Sequence, residues 1–221
     1  MINKEQRTLI IVNCLAEHGD RRLKKLYRFI EHAGIDVAKR FLGSHYRVLS
    51  VLRDEEATWP VFLDRINKLS NEQGVKVIDL FFQLHGKPEK VRFFDRWVPV
   101  NQMGQGIGRT VSPGRLRLVY NLCCYGDSHS GSFINAGFKT AIGSLRINAN
   151  AALEYPSFCR LWAKTGLESN QLLNISEVLR RADRPTTRCF QDFLAKRYFD
   201  DVDSKKIIRG NKLIKISDVP H

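Results

Sequence analysis

A histidine and a pair of cysteines stand at the ends of two apolar runs, and these residue types can perform nucleophilic catalysis. His85 directly follows "VKVIDLFFQL", and Cys123 and Cys124 close "RLRLVYNLCC". A thiolate attacks carbonyl carbon, while a nearby imidazole lowers the pKa of the thiol and later protonates the leaving amine. Gly86 would let the backbone approach a substrate carbonyl and offer its N–H as an oxyanion-hole donor.

The same residue types also have other roles, which the pattern leaves open. Buried free cysteines are common, and a histidine at a strand end usually hydrogen-bonds to the backbone. A disulfide between the two adjacent cysteines would close a strained eight-membered ring. A metal site of His85, Cys124 and His129 lacks a second-ligand spacing, so we expect neither a metal nor a cofactor. In "GDSHSGS" we expect His129 in a solvated loop and Asp127 as a helix N-cap.

Apolar, β-branched runs predict strands that are buried on both faces. The predicted strands cover 8–14, 46–52, 75–84, 115–124 and 138–144, and "KKIIRGNKLIKIS" predicts a last strand or hairpin. "EKVRFFDRWVPVNQ" predicts a small hairpin that turns near Asp95 and Arg96. "MGQGIGRTVSPG" predicts a loop, because no strand enters its glycines directly and Pro113-Gly114 replaces the helix that a dinucleotide site requires.

The helical spacing of apolar residues predicts helices between these strands. In "DRRLKKLYRFIEHAG", Asp20 is the expected N-cap and Gly34 the expected stop. The apolar stripe of this helix, at i, i+3, i+4 and i+7, consists of Leu23, Leu26, Tyr27 and Ile30. In "TWPVFLDRINKLSNEQG", Thr58 is the expected cap and Pro60 lies in the first turn. Further helices are predicted in "YPSFCRLWAKTG", "ESNQLLNISEVLRRAD" and "TTRCFQDFLAKRYF".

Length and composition bound the class of protein. The 221 residues have 43% apolar content, enough for one substantial core, and we treat 1–221 as a single domain. Five cysteines without a CxxC pair favour reduced thiols. The apolar stretch at 9–12 is too short for a secretory signal or a membrane span, so we expect a cytoplasmic protein without a membrane segment.

The formal net charge of +13 raises the alternative of nucleic-acid binding. Basic residues concentrate in "DRRLKKLYR", "LRRADRPTTR" and "SKKIIRGNK". Helices that expose Lys and Arg explain the same charge, and the chain has no zinc-finger, helix-turn-helix or aromatic-interleaved basic motif. We therefore do not expect a nucleic-acid partner, although a basic nucleic-acid-associated α/β domain stays an alternative.

The alternation of strands and helices predicts an α/β fold with a mostly parallel sheet covered by helices on both faces. Folds of this kind place their sites beyond the carboxyl ends of the strands. Those ends carry Asn13, His85 and the two cysteines, and Ser144 closes the fifth predicted strand. Periodicity alone would not supply a histidine at one strand end and a cysteine at another.

The segments "VIDLFFQLHG" and "RLRLVYNLCCYG" resemble the two signatures of caspase-like cysteine peptidases, strand–His–Gly and strand–x–Cys–x–Gly. His85 precedes Cys124 by 39 residues (124 − 85), against about 50 in caspases, which leaves room for one hairpin. "INAGFKTAIGS" and "ANAALEYPSFCRLWAKTG" are similar to bacterial caspase-like and CHAT-type proteins. The resemblance covers most of the chain and implies a three-layer caspase-like sandwich with about six strands.

The resemblance also implies a role for individual residues. It makes His85 the acid/base and Cys124 the nucleophile, with the N–H groups of Gly86 and Cys124 as the oxyanion hole. C-x-G spacing selects Cys124 with Gly126, whereas C-x-x-G spacing selects Cys123 with the same glycine. We favour Cys124, which lies closer to the strand end. Because side chains alternate across a strand, only one thiol should face the cleft.

Substrate-binding residues are expected near the same strand ends. Arg146 falls where caspases position a substrate-binding arginine, and Asn13 and Ser144 are further candidates. Arg21 and Arg22, after the first strand, could reach the rim of the pocket. Metacaspase-like enzymes, which cut after Arg or Lys, have an acidic residue two places before the cysteine, and this chain has an uncharged one. We therefore expect a neutral or acidic preference over a basic one before the cleaved bond.

Together with the resemblance, these residues predict a cysteine endopeptidase of caspase-like type, with a His/Cys dyad and a thioester acyl-enzyme. The expected partners are a protein or peptide substrate and, where activation needs one, a partner protein. The alternatives are a catalytically silent caspase-like protein-binding module and the basic nucleic-acid-associated domain described above.

Overall fold

The computed structural model describes residues 2–112, 114–164 and 171–220. The strands are β1 (Arg7–Cys14), β2 (Val48–Arg53), β3 (Val77–Lys87), β4 (Lys90–Arg92), β5 (Trp97–Pro99), β6 (Leu116–Asn121), β7 (Thr140–Ser144) and β8 (Lys206–Gly210). The α-helices are α1 (Lys24–Leu42), α2 (Trp59–Asn71), α3 (Val100–Thr110), α4 (Gly126–Asn135), α5 (Ala151–Trp162), α6 (Ile175–Ala182) and α7 (Pro185–Ala195). Pro113 of the predicted loop and the predicted helical ends at 165–170 lie outside the described residues.

Six strands form the central sheet in the order β2-β1-β3-β6-β7-β8. All neighbouring pairs are parallel except β7 and β8, which are antiparallel. Every residue of β1 and of β6 is buried, as expected for strands with helices on both faces. The predicted α/β fold with a mostly parallel sheet of six strands is thereby confirmed.

Helices cover both faces of this sheet, so two apolar layers flank it. Alternate residues of β1 enter different layers: Ile10 and Val12 lie with the residues of α2, α3 and α4, whereas Leu9 and Ile11 lie with those of α1, α5 and α6. This alternation is the period of two that a strand imposes on its side chains. Continuous apolar runs therefore mark the central strands.

The predicted hairpin is present, and it extends the third strand. β4 and β5 pair antiparallel on either side of a turn that contains Asp95 and Arg96. β4 also pairs with the end of β3, where His85 faces Arg92 and Gly86 faces Val91. β3 therefore continues past the predicted end at 84 and holds His85 and Gly86 in a regular ladder.

Two local predictions are wrong because glycines serve close packing. α1 continues through Gly34, where a Cβ atom would lie 2.6 Å from the Gln83 side chain. The glycine-rich segment predicted as a loop forms α3, because a Cβ at Gly104 would lie 2.4 Å from the carbonyl oxygen of Ser132 on α4. Both glycines permit a close approach within a helix rather than ending one.

The fourth long strand is shorter than predicted. β6 ends at Asn121, so the adjacent cysteines lie in the turn that leads to α4.

Within residues 2–112, 114–164 and 171–220, no helix combines the length and the apolar character that crossing a membrane requires.

Candidate active site

A cavity of about 640 Å³ opens at the carboxyl ends of β1, β3 and β6. Its lining includes Leu15 after β1, His85 and Gly86 at the end of β3, and Cys124 after β6. The first turns of α1, the segment 147–149 after β7, the start of α5 and the end of α7 with the residues that follow it also line the cavity. The two residues expected to form a dyad are thus brought to one cavity from strands that are neighbours in the sheet.

The imidazole of His85 is oriented by a backbone carbonyl. Its Nε2 lies 2.7 Å from the carbonyl oxygen of Leu15. A carbonyl oxygen only accepts hydrogen bonds, so the proton of the neutral ring is on Nε2 and Nδ1 has a free lone pair. The ring of Tyr27 packs edge-on against His85, with 5.1 Å between the ring centroids. Burial lowers the pKa of His85, so the ring is neutral near pH 7.

A buried glutamate holds the backbone that accepts this hydrogen bond. The Glu31 carboxylate on α1 accepts the N–H of Leu15 and the N–H of Ala16, the latter at 2.9 Å. Glu31 is buried, so its charge is held by these two donors in a site of low dielectric. Nothing in the sequence distinguishes Glu31 from the other charged residues of this amphipathic helix.

Cys124 occupies a sharp turn between β6 and α4. Tyr125 is the N-cap of α4 and has φ 58°, a left-handed conformation that is strained for a non-glycine residue. The N–H of Tyr125 donates to the carbonyl oxygen of Arg146 at 2.8 Å, which ties the turn to the segment after β7. Cys124 is half-buried, and its position just before the helix N-terminus favours a negative charge there.

Burial and a buried cation act in opposite directions on the Cys124 thiol. Burial raises its pKa, whereas the backbone N–H of Asn148 and the positive charge of Lys206 lower it. The Lys206 ammonium donates to Asn148 Oδ1 at 2.8 Å and lies 3.7 Å from the carboxylate of Glu154. Both charged side chains are fully buried, so this cation is fixed in the protein interior. No pattern in the sequence indicated it.

The second cysteine lies in the core. Cys123 is fully buried in the apolar layer that also contains Phe133 of α4, and burial strongly raises the pKa of its thiol. Only Cys124 of the two is among the cavity-lining residues. The turn after β6, rather than the alternation within a strand, separates the two side chains. All five cysteines have free thiols.

Gly86 allows the β3 extension to contact the cysteine turn. A Cβ atom at Gly86 would lie 2.1 Å from the carbonyl oxygen of Cys124 and 2.9 Å from the Cβ of Cys123. Such distances exclude any side chain at this position unless the backbone moves. His85 and Cys124 are therefore held near each other by a backbone contact that needs glycine.

The predicted substrate-binding residues Arg146, Asn13 and Ser144 are not among the residues that line the cavity. Arg146 is exposed and forms an ion pair with Asp201. Asn13 is buried and donates to Gln83 Oε1 at 2.6 Å, and Ser144 is buried and donates to the carbonyl oxygen of Cys123 at 3.2 Å. Asn13 and Ser144 thus form hydrogen bonds within the protein that hold the strand ends and the cysteine turn in place.

Arg21 and Arg22, after β1, are also not among the lining residues, although the neighbouring Leu23 is. Arg21 and Arg22 lie in an exposed 3-10 turn, Arg21–Leu23. Arg22 pairs with Asp20 at 2.7 Å, and this carboxylate also caps the turn by accepting the N–H of Arg22. The N-cap role predicted for Asp20 is confirmed for the 3-10 turn that precedes α1.

Two predictions for the segment after the cysteines are wrong. His129 is buried on α4, where Nδ1 accepts from the Asn121 amide at 3.0 Å and Nε2 donates to the Lys87 carbonyl at 2.8 Å. Asp127 follows the first residue of α4 and pairs with Arg209 at 2.8 Å, while Tyr125 is the N-cap.

Within the described ranges, no group of three or more His, Cys, Asp or Glu residues could hold a metal ion.

Comparisons with known proteins show similarity at the level of structure. No family model and no curated protein matches the sequence. Caspase-1 from Spodoptera frugiperda superposes with a TM-score of 0.59 at 11% identity, over 97% of this chain and 91% of that chain. A secreted C11 cysteine protease from Bacteroides thetaiotaomicron, "iotapain", superposes with a TM-score of 0.52 at 10% identity, over 77% of this chain. Its complex with an irreversible peptide inhibitor gives a TM-score of 0.50 at 10% identity, over 80% of this chain.

The chain spans 60% and 57% of the lengths of the two Bacteroides chains. At these identities the similarity concerns the arrangement of helices and strands. The strand order, the helices on both faces and these superpositions together establish that this chain has a caspase-like fold.

Proposed function

We propose that this chain is a cysteine peptidase that cleaves protein or peptide substrates with a dyad of His85 and Cys124. The observation that supports the proposal best is that both side chains line one cavity, with the imidazole oriented by the Leu15 carbonyl. Cys123 is buried in the core and is not among the lining residues.

In the proposed reaction, His85 Nδ1 takes the proton of the Cys124 thiol as Sγ attacks the scissile carbonyl carbon. The new C–S bond pushes the carbonyl electrons onto oxygen, and the N–H groups of Gly86 and Cys124 stabilise this oxyanion. The C–N bond breaks as Nδ1–H protonates the leaving amine. Water, deprotonated by His85, then hydrolyses the thioester and returns the thiol.

Both members of the proposed dyad are neutral at rest. Burial lowers the pKa of His85 and raises the pKa of Cys124, so a thiolate–imidazolium pair is disfavoured in the free protein. The positive charge of Lys206 favours the thiolate. Proton transfer is therefore expected to accompany substrate attack rather than to precede it.

A catalytically silent protein-binding module is the second candidate. It is favoured by one observation: the hydrogen bonds among the described residues include His85 to Leu15 and none between the His85 ring and the Cys124 thiol. Catalytic hydrogen bonds often form only in the complex with substrate, so the same geometry is also compatible with the peptidase.

Labelling with a thiol-reactive peptide electrophile separates them. The wild type should form one adduct, located on Cys124 by mass spectrometry of peptides, and Cys124→Ala should form none at that site. His85→Ala should label much more slowly near pH 7, because the proton acceptor is lost. An adduct rate that does not depend on His85 would support the silent module.

A further inference from the structure

The N-terminal half of α1 presents apolar side chains to the cavity instead of to the core. Leu26, Tyr27 and Ile30 of α1, together with Leu23 just before it, have the helical spacing typical of a core stripe, yet all four line the cavity. The buried residues of α1 begin only at Glu31. Leu26 is 49% exposed, and Phe29, which also lines the cavity, is 67% exposed.

The end of α7 contributes a second apolar stretch. None of the residues of α7 is buried, and Leu194, Ala195, Tyr198 and Phe199 line the cavity from this helix and the residues that follow it. Tyr198 is 60% exposed. Each Å² of apolar surface left in water costs about 25 cal/mol relative to burial, so an apolar ligand here would recover free energy.

The described lining offers no free charge for an ionised side chain. It contains neither Asp nor Glu, and its one cation is Lys87. The Lys87 ammonium lies over the ring of Trp97, 5.2 Å from the centroid, so this charge is already engaged by an aromatic face. Arg146, the other expected cation, pairs with Asp201, and the Lys206 ammonium, whose charge acts on Cys124, is buried against the Glu154 carboxylate. A buried acidic or basic substrate side chain would therefore remain unpaired here.

We propose that the cavity selects peptides with bulky apolar side chains, aromatic or branched aliphatic, beside the bond that Cys124 attacks. This inference rests on the proposed peptidase function. The volume of about 640 Å³ lies in the usual range for ligand pockets, about 300–1,000 Å³, and accommodates more than one side chain. Apolar contacts along α1 and α7 supply affinity, while the dyad supplies the chemistry.

A matched set of fluorogenic peptides tests this selection. The residue before the scissile bond is Phe, Leu, Asp or Arg, and the rest of the peptide is identical. The value of kcat/KM should be at least about tenfold higher for the Phe or Leu peptide than for the Asp or Arg peptide. A difference of this size is expected when a buried charge is left unpaired. Equal or better cleavage after Asp or Arg would overturn the inference.

The variants Leu26→Glu and Leu153→Glu locate the selection. Leu26 lines the cavity, whereas Leu153 is 47% exposed on α5 and is not among the lining residues. Leu26→Glu should raise KM for the Phe peptide several-fold and improve the relative cleavage of the Arg peptide. Leu153→Glu should leave both values unchanged. The same effect from both substitutions would show that the change is one of net charge alone.

Binding to Cys124→Ala distinguishes failure of this inference from failure of the proposed function. Fluorescence anisotropy would measure the affinity of this variant for each peptide. Tighter binding of the Phe peptide with no cleavage by the wild type would overturn the peptidase and retain the apolar selection. Cleavage with a charged preference would overturn the selection and retain the peptidase. Neither cleavage nor binding would overturn both.

Discussion

The Nε2 of His85 lies 2.7 Å from the carbonyl oxygen of Leu15, 70 residues earlier in the chain. This contact assigns the ring proton to Nε2 and leaves the lone pair of Nδ1 free for the proposed role as base. The Leu15 carbonyl is in turn held by the Glu31 carboxylate, which accepts the N–H groups of Leu15 and Ala16. The orientation of the proposed base thus depends on a helix that contributes no residue to the proposed chemical step.

The two cysteines should respond differently to replacement by alanine. Cys124→Ala should abolish turnover and labelling and leave stability nearly unchanged, because the thiol is half-buried at the cavity. Cys123→Ala should retain labelling and lose about 1–2 kcal/mol of unfolding free energy, because it creates a small void in the core. Urea unfolding and active-site titration measure both effects. Retained activity in both variants would sink the proposed mechanism.

The pH dependence of alkylation should report on His85. In the wild type the neutral imidazole assists the Cys124 thiol down to below about pH 6.5, the ordinary pKa of histidine, because burial lowers the pKa of His85. In His85→Ala the thiol lacks this base, and its burial-raised pKa moves the iodoacetamide rate curve to higher pH. His32→Ala, on the exposed face of α1, is the control. Superimposable curves for all three proteins would show that no coupling exists.

Replacing Glu31 should disturb the base through the backbone. Glu31→Leu leaves the N–H groups of Leu15 and Ala16 without their acceptor, at a cost of about 1–3 kcal/mol each if they stay buried. Glu31→Gln keeps an oxygen at the same position and should retain most of the activity. The decisive measurement is the pH profile of kcat/KM. This profile should shift in Glu31→Leu and should match that of the wild type in Glu31→Gln. Loss of stability without a change in the profile would mean a purely structural role.

A side chain at Gly86 should disrupt the site. In Gly86→Ala the new Cβ meets the Cys124 carbonyl oxygen at 2.1 Å, so the cysteine turn must move and activity should fall at least about a hundredfold. Gly131→Ala is the matched control, because a Cβ there meets nothing within 4 Å and helix α4 should gain about 0.5–1 kcal/mol. Thermal unfolding and kcat/KM test the pair. Normal activity in Gly86→Ala would contradict the contact.

Acid should destabilise the fold through His129. Its Nδ1 accepts from the Asn121 amide, so a second proton would face a donor, and burial lowers the pKa of His129. Between that lowered pKa and about 6.5 the unfolded chain binds more protons than the folded one, so stability falls as pH falls through this window. Free energies of unfolding at pH 7.5 and 5.5 should differ less in His129→Gln than in the wild type. An unchanged difference would assign the acid sensitivity to other groups.

Local patterns determined the fold class. Strands buried on both faces must be apolar throughout, so runs such as "TLIIVNC" indicate a covered parallel sheet wherever they alternate with amphipathic helices. The carboxyl ends of such strands meet at one edge of the sheet, so the sequence already indicated that His85 and the cysteines lie close together. Two short strand-like runs around a turn at Asp95 and Arg96 predicted the hairpin between β3 and α3.

The tertiary structure decided what depends on contacts between distant segments. Which cysteine lines the cavity follows from the turn into α4, and the orientation of His85 follows from Leu15 and Glu31. A glycine in α1 or α3 ends no helix when a neighbouring element packs against it. An apolar helical stripe has the same spacing whether it faces a core or a cavity, because periodicity records only which side of the helix is apolar. What covers that side is set by the packing of the whole chain.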